Sequence, residues 1–186
     1  MSTANVQTAA FVNTLPIETP HGTFALARGW MAVDAGVRGT QIRLINTHLE
    51  VERPPAAAAA QLAQAGEPLA GPADTSLPVV MLGDFNSRPD APTYAALRAV
   101  GFDDAWTRAN PGDHTGFTCC HRESLDDPGD MLRARIDLIL TRGPIAANGG
   151  VPGRPHRGRG ALRAVALRPR GRRRHTRAGV ISTLVG

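Results

Sequence analysis

The chain of 186 residues contains no lysine, only two cysteines, and aromatic residues at just 4% of the total. With so few aromatic side chains, a core must be built largely from Ala, Val, Leu and Ile. No run approaches the roughly 18 apolar residues that suggest a membrane span. The N-terminus lacks the basic and apolar regions of a signal peptide. The localisation stays unassigned, because a targeting segment could lie outside this sequence.

Acidic residues are absent after Asp137, and this divides the chain electrostatically. Residues 1–142 hold 11 Arg and all 16 acids, for a net charge of −5. Residues 143–186 hold 10 Arg and no acid, for a net charge of +10. The formal net charge of +5 is therefore an average over two unlike segments. It does not by itself indicate that the folded part binds nucleic acid.

The two cysteines, Cys119 and Cys120, are adjacent, and neighbouring residues rarely satisfy disulfide geometry. Because His114 and His121 lie nearby, a zinc site is one interpretation. The paired C-x-x-C spacing of structural zinc sites is missing, however. The interpretation that we favour is two small residues, packed or half exposed, in a loop.

The hydrophobic pattern predicts an α/β arrangement with mixed strand pairing. Residues 30–35 and 41–49, separated by a glycine-containing turn, show the alternation of a β-hairpin. The pattern then predicts a helix at 56–65, a buried strand at 77–82, a helix at 91–100 with Asp90 as its N-cap, a loop at 103–130 and a strand at 135–141. From Gly143 the pattern fails, and only residues 178–185 again predict a strand.

Three apolar strands deliver polar groups at or just beyond their ends: Asn46-Thr47-His48-Leu49, Gly83-Asp84-Phe85-Asn86 and Arg135-Ile136-Asp137. Buried strands tolerate carboxylate and imidazole groups poorly unless these are paired or bind a metal. Taken singly, each segment has a plainer interpretation, namely a structural histidine, an Asx turn, or a salt bridge from Asp137 to Arg135 or Arg142. Taken together, the three segments predict a functional site.

The ordered motifs N-T-H-L, G-D-F-N and R-I-D resemble the endonuclease/exonuclease/phosphatase superfamily from about Asn13 to Thr141. The stretch G-F-T-C-C resembles a bacterial subgroup of it. The resemblance implies a deoxyribonuclease I-like α/β sandwich, in which two β-sheets pack face to face with helices outside. It also implies hydrolysis of a phosphoester, typically a phosphodiester, with Mg²⁺ or Mn²⁺ as cofactor. The substrate stays open between DNA, RNA, lipid and small phosphoesters.

The same resemblance assigns catalytic roles to His48, Asp84, Asn86 and Asp137. Asp84 orients or deprotonates the attacking water, and Asn86 stabilises charge on a phosphate oxygen. Both residues are expected to contribute to the metal site. His48 contacts the scissile phosphate or the leaving group, and Asn46 joins His48 and Asn86 in binding the substrate phosphate. Asp137 orients a histidine or supports the metal site.

Two elements of the family pattern are missing. The N-terminal half normally supplies an asparagine and the principal metal-binding glutamate, and we do not assign that role to Glu18, which lies between two prolines. The Ser-Asp-His that normally precedes the last strand is replaced by His175-Thr176-Arg177. We therefore expect residues 1–147 to form an incomplete, C-terminal half of the domain. Its uncovered sheet face favours self-association.

Residues 148–177 are dominated by Arg, Gly, Pro and Ala, and two interpretations stay open. One is a disordered basic tail that binds phosphate backbones nonspecifically, so that the chain acts as a nucleic-acid-binding module. The other is translation out of frame, with a family-like strand returning at 178–186, which the coding DNA can test. The missing elements also leave open a non-catalytic fragment with no turnover.

Overall fold

A six-stranded mixed β-sheet organises the part of the chain that the computed structural model describes, which is residues 2–37, 39–122, 124, 126 and 132–145. The elements are β1 (Ser2–Ala10), β2 (Pro16–Thr19), β3 (Gly22–Ala25), β4 (Gly29–Val37), β5 (Thr40–His48), α1 (Pro55–Ala70), β6 (Val79–Asp84), α2 (Pro92–Ala99), β7 (Asp103–Asp104), α3 (Ala105–Ala109) and β8 (Asp137–Arg142). The predicted α/β class is confirmed. The segments at 148–177 and 178–186 lie outside the described residues.

Strand pairing explains how the chain builds this sheet. The strand order is β1-β4-β5-β6-β8-β7, and β2 and β3 form a separate two-stranded hairpin. Strands β4 and β5 are the predicted antiparallel hairpin. β5 and β6 run parallel, so they need a crossover, and α1 lies in it. β8 returns antiparallel to β6. Parallel β5 and β6 therefore end at the same edge of the sheet.

The two faces of the sheet differ in burial. One face carries the core cluster with the helices, and its strand residues include Ile45, Met81 and Leu140, each at most 1% exposed. The other face carries Leu44 and Leu82, which are partly exposed, beside Ile42 and Val80, which are 2% and 6% exposed. Alternation along each strand separates these two sets. Self-association through the second face stays a prediction.

Two local predictions need correction. Helix α2 begins at Pro92 with Ala91 as its N-cap and no side-chain cap, so the assignment of Asp90 as N-cap is wrong. The side chain of Asp90 instead lies 3.5 Å from Arg88. Helix α1 continues past the predicted end to Ala70 and contains Pro68. The carboxylate of Glu67 accepts hydrogen bonds from the backbone N–H groups of Val12 and Asn13, and these tertiary contacts hold this last part.

The region predicted as one loop at 103–130 is wrong in its first part, because it contains β7 and α3. Asp104 is the N-cap of α3, and its carboxylate accepts hydrogen bonds from the backbone N–H groups of Trp106 and Thr107. The polar composition of this region did not predict the short helix, because an Asp such as Asp104 is as common in turns as at helix N-caps.

The adjacent cysteines, Cys119 and Cys120, lie in the loop before β8 with their sulfur atoms against each other. Among the residues that the structure describes, no group of three or more His, Cys, Asp or Glu side chains is arranged to hold a metal ion. The zinc interpretation therefore has no ligand cluster to support it. Within the same ranges, no helix is long and apolar enough to cross a membrane.

Candidate active site

Three of the predicted site residues lie side by side at one edge of the sheet. His48 on β5 is the register partner of Asp84 on β6. Asp84 is in turn the register partner of Asp137 on β8. Residues aligned in this way across neighbouring strands lie about 4.5–5.5 Å apart and share one face. Segments that are far apart in the sequence thus meet in one polar row.

His48 and Asp84 are in direct electrostatic contact. The Nε2 atom of His48 lies 3.6 Å from Oδ2 of Asp84, and the two side chains are 56% and 33% exposed. The pair is therefore open to solvent and to a substrate. Its ionic contribution to stability is small at this exposure. A structural histidine satisfied in the core, the plainer interpretation of His48, does not fit this position.

The carboxyl group of Asp84 has a raised pKa. Burial is the largest cause, and the negative charge of Asp137 adds to it. The backbone N–H of Asn86 and the positive charges of His48 and Arg28 act in the opposite direction without cancelling the effect. A carboxylate with a raised pKa is a better proton acceptor than an ordinary one.

Asn86 is held next to Asp84 by its own hydrogen bonds. Its backbone N–H donates to Oδ1 of Asp84 at 2.8 Å. Its side-chain Nδ2 donates to the carbonyl oxygen of Leu49 at 3.0 Å. Its backbone φ is +47°, in the left-handed region that few residues other than glycine adopt. The loop after β6 is therefore tied to the loop after β5 through this side chain.

Asn46 lies on the same face of β5 as His48 but not in the row. It is two residues before His48, and its register partner on β6 is Leu82. Two residues along a strand correspond to roughly 6.6 Å. The side chain is exposed. Asn46 thus lies next to the row, beside Leu82 on the partly exposed face of the sheet. It has no described contact with Asp84.

Gly83 explains how closely β5 and β6 approach beside the row. A Cβ atom at this position would meet the carbonyl oxygen of Thr47 at 2.0 Å, and the φ of Gly83 is +135°. Only glycine is compatible with both conditions. The glycine of the G-D-F-N motif therefore allows the pairing that brings Asp84 next to His48.

Comparison with known proteins identifies the family to which this chain belongs. A model of the endonuclease/exonuclease/phosphatase family matches residues 6–169, which is most of the chain. The chain belongs to this family. A search of curated proteins found no match.

Solved structures of similar fold agree with this family. The human Nocturnin catalytic domain, solved with bound sulfate anion, is 15% identical with a TM-score of 0.54, over 77% of this chain and 49% of that one. A family member from Beutenbergia cavernae is 19% identical with a TM-score of 0.53, over 76% and 38%. Truncated TDP2 from Caenorhabditis elegans is 21% identical with a TM-score of 0.50, over 78% and 54%.

These similarities show the fold, which is the deoxyribonuclease I-like α/β fold of the endonuclease/exonuclease/phosphatase family. The chain spans about half the length of each of these structures, between 38% and 54%. At identities of 15–21% they carry no conclusion about substrate.

Sequence reasoning missed Arg28 in this family member. Its Nη1 donates to the carbonyl oxygen of Leu49 at 2.7 Å. Its Nη2 lies 3.5 Å from Oε1 of Glu50. The positive charge of Arg28 also acts to lower the pKa of Asp84, against the larger effect of burial, which raises it. An arginine just before a strand carries no local signal of this role, because its partners are about twenty residues away.

Thr118 is a second missed residue, and it positions Asp137. Its Oγ1 accepts hydrogen bonds from the backbone N–H groups of Ile136 and Asp137, at 3.2 and 3.1 Å. Thr118 belongs to the G-F-T-C-C stretch, so the resemblance to the bacterial subgroup was the available signal. Asp104 is the carboxylate paired with Arg135, at 2.8 Å. The interpretation of Asp137 as the salt-bridge partner of Arg135 is therefore not supported.

The row supplies oxygen ligands of the kind that members of this family need for a divalent metal. Asp84 and Asp137 carry like charges close enough to raise the pKa of Asp84. Mg²⁺ is typically bound by one or two protein carboxylates and completes its shell with water and substrate phosphate oxygens. The residues thus fit a Mg²⁺ site as a partial ligand set.

Proposed function

We propose that the chain is a phosphoester hydrolase whose site is formed by His48, Asp84, Asn86 and Asp137, with Mg²⁺ or Mn²⁺ as cofactor. Membership of the endonuclease/exonuclease/phosphatase family supports phosphoester hydrolysis. The observation that carries the proposal is the in-register row of His48, Asp84 and Asp137, with Asn86 bonded to Asp84.

In this proposal Asp84 accepts a proton from the attacking water, or holds that water in line with the phosphorus atom. Its position suits this role, because the carboxylate lies at the solvent-open end of β6, 3.6 Å from His48, and is fixed by the hydrogen bond from the backbone N–H of Asn86. Asp137, the register partner of Asp84 on β8, places a second carboxylate beside it. Asp84 and Asn86 would hold the divalent cation, which would neutralise the charge of the substrate phosphate.

The remaining residues of the row act on the substrate. Asn86 has two amide hydrogens, of which one is used on Leu49, so the second is available to a phosphate oxygen. His48 is exposed enough to reach the scissile phosphate or the leaving group. Asn46, on the same face and equally open, extends the phosphate-binding surface away from Asp84. Nocturnin was solved with a bound sulfate anion, an analogue of phosphate in charge and shape.

The test is hydrolysis of bis(4-nitrophenyl) phosphate by the purified full chain, with Mg²⁺ or Mn²⁺, with chelator, and with Asp84→Ala. We expect metal-dependent turnover that falls by about 10²–10⁴-fold in Asp84→Ala, the range for removing a positioned acid–base group. Asp90→Ala is the matched control, because that carboxylate is 74% exposed and its described ion pair is with Arg88, outside the row.

Two other outcomes have a structural basis. Soluble wild-type protein with no turnover above the Asp84→Ala background would favour a non-catalytic chain, in line with its spanning about half of the solved structures. Binding of nucleic acid with steep salt dependence, lost on deletion of residues 148–177, would favour a binding module based on the net charge of +10 in residues 143–186.

A further inference from the structure

Helix α1 buries two glutamine side chains in an otherwise alanine-rich face. Gln61 and Gln64 are 2% and 1% exposed. They lie three residues apart and therefore on the same side of the helix. Burying an amide costs free energy unless its hydrogen bonds are satisfied, so the partners of these two side chains show what the helix holds in place.

The amide of Gln61 connects the two loops that carry the proposed site. Its Nε2 donates to the carbonyl oxygen of Glu50 at 2.6 Å and to that of Asn86 at 2.9 Å. Glu50 follows β5, which ends at His48, and Asn86 follows β6, which ends at Asp84. One amide nitrogen has two hydrogens, so a single side chain can serve both loops at once.

The backbone conformation of Asn86 is fixed by its hydrogen bonds. Its φ of +47° lies in the left-handed region, which asparagine adopts more readily than most residues with a Cβ atom but does not adopt without local hydrogen bonds. The conformation is held by three hydrogen bonds: from its N–H to Asp84, from its side chain to Leu49, and from Gln61 to its carbonyl oxygen. The first two partners belong to the site strands or their loops. Gln61 is the one that anchors Asn86 to the helix layer.

We infer that Gln61 is a positioning residue that holds Asn86 in its left-handed conformation and sets the distance between the loops after β5 and β6. Its catalytic consequence rests on the proposed function, whereas its effect on loop order does not. Gln61 does not touch the reacting atoms. It acts through Asn86, whose side chain and neighbour Asp84 are proposed to face the metal and the phosphate.

Gln64 is a matched control within the same helix. It is equally buried, but its Oε1 accepts from the N–H of Glu50 at 2.7 Å and its Nε2 donates to the carbonyl oxygen of Asn13 at 2.8 Å. It has no described hydrogen bond with residues 84–86. Replacing either glutamine by methionine, which has similar volume and flexibility, removes one amide from the same buried face.

The experiment compares Gln61→Met with Gln64→Met in the full chain without metal. Amide hydrogen exchange is measured by NMR at Asn86 and, as reference, at the buried strand residue Met81. We expect Gln61→Met to lower the protection of Asn86 relative to Met81 by about five- to tenfold, as for the loss of one hydrogen bond. Gln64→Met should leave this ratio unchanged. Equal effects of the two variants, or no effect of Gln61→Met, would overturn the inference.

The wild-type protein provides a second measurement, which is independent of whether the variants fold. Both side-chain amide hydrogens of Gln61 should exchange slowly, because each has a carbonyl acceptor. Rapid exchange of either hydrogen would contradict the bridge between the loops.

Turnover then separates this inference from the proposed function. In an active enzyme, Gln61→Met should lower kcat by about tenfold with little change in KM, and Gln64→Met should change kcat by less than about threefold. If the wild-type protein has no turnover, the proposed function fails, while the exchange measurements still decide the role of Gln61.

Discussion

Two aspartates of the same sheet, Asp34 on β4 and Asp84 on β6, have opposite electrostatic surroundings. Asp34 is 7% exposed and is bonded to the guanidinium group of Arg43, with Nη2 at 3.1 Å from Oδ2. This hydrogen bond is the main reason why its pKa is lowered. Asp84 lies beside Asp137, and burial together with that second negative charge raises its pKa.

The two aspartates differ in how far their negative charge is compensated. Arg43 and His48 are five residues apart on β5, roughly 17 Å along the strand, and they lie on opposite faces. At the Arg43 end, buried charges are compensated, as a structural ion pair requires. At the His48 end, two carboxylates are left partly uncompensated, which costs stability and is typical of functional sites.

The largest effect is expected when the compensated pair is broken. Asp34→Ala leaves Arg43 buried without its counter-charge, so we expect the free energy of unfolding to fall by about 3–5 kcal/mol. Urea denaturation at neutral pH measures this change. Because the pKa of Asp34 is lowered in the folded state, its contribution is present above the unfolded pKa of 3.8 and is lost as the pH falls through the lower folded pKa.

The double variant Asp34→Leu with Arg43→Met is the control for this prediction. Replacing both charges with apolar side chains of similar volume should cost less than Asp34→Ala alone, since no buried charge is left unpaired. A double variant that is less stable than the single one would mean that the pair contributes more than charge compensation.

A smaller effect of opposite sign is expected at the other aspartate. A raised folded pKa means that the stability linked to protonated Asp84 is present below its unfolded pKa of 3.8 and is lost as the pH rises through the folded pKa. Asp84→Asn should therefore stabilise the metal-free protein at neutral pH, by about 1 kcal/mol or less because solvent screens the group.

The measurement is urea denaturation in the presence of chelator, at neutral pH and at about pH 3, where the gain should disappear. His48 also contacts Asp84, so the comparison is repeated in the His48→Gln background. Destabilisation by Asp84→Asn at neutral pH would show that His48 and Arg28 compensate the carboxylate fully, and the contrast with Asp34 would no longer hold.

The smallest effect is expected for an exposed charge outside the row of His48, Asp84 and Asp137. Arg88 is 48% exposed and lies 3.5 Å from both Glu52 and Asp90. Arg88→Ala should change the free energy of unfolding by less than about 1 kcal/mol, and less still at high salt. If Arg88→Ala lowered the free energy of unfolding by more than this, and independently of salt, the burial of a charge would not predict its contribution to stability.

Local sequence patterns predicted most of the strands at the centre of the sheet and singled out the residues of the proposed site. The alternation in residues 41–49 was enough for a strand, because one face of β5 is buried and the other is partly exposed. The apolar run before Asp84 was enough for a strand within the sheet. His48, Asp84 and Asp137 stood out because charged groups at the ends of apolar strands are costly without a reason.

Other parts carried no such signal. Strand β1 is polar and mostly exposed, and it pairs with β4. Its sequence therefore lacks the alternation of apolar and polar residues that would predict a strand. Arg28 and Gln61 reach the site through partners 11 to 25 residues away in the sequence. Such contacts depend on how α1 and the β4–β5 hairpin lie against the loops, which residue spacing does not encode.

By itself, the sequence determined the central strands β4, β5, β6 and β8, the helices α1 and α2, the family motifs and the chemical groups of the proposed site, because these depend on local periodicity and residue chemistry. Only the tertiary structure decided that β5, β6 and β8 align His48, Asp84 and Asp137 in one row. It also decided which aspartate is compensated. Register and long-range pairing set the distance between charges, and that distance determines whether a carboxylate is stabilised or left basic.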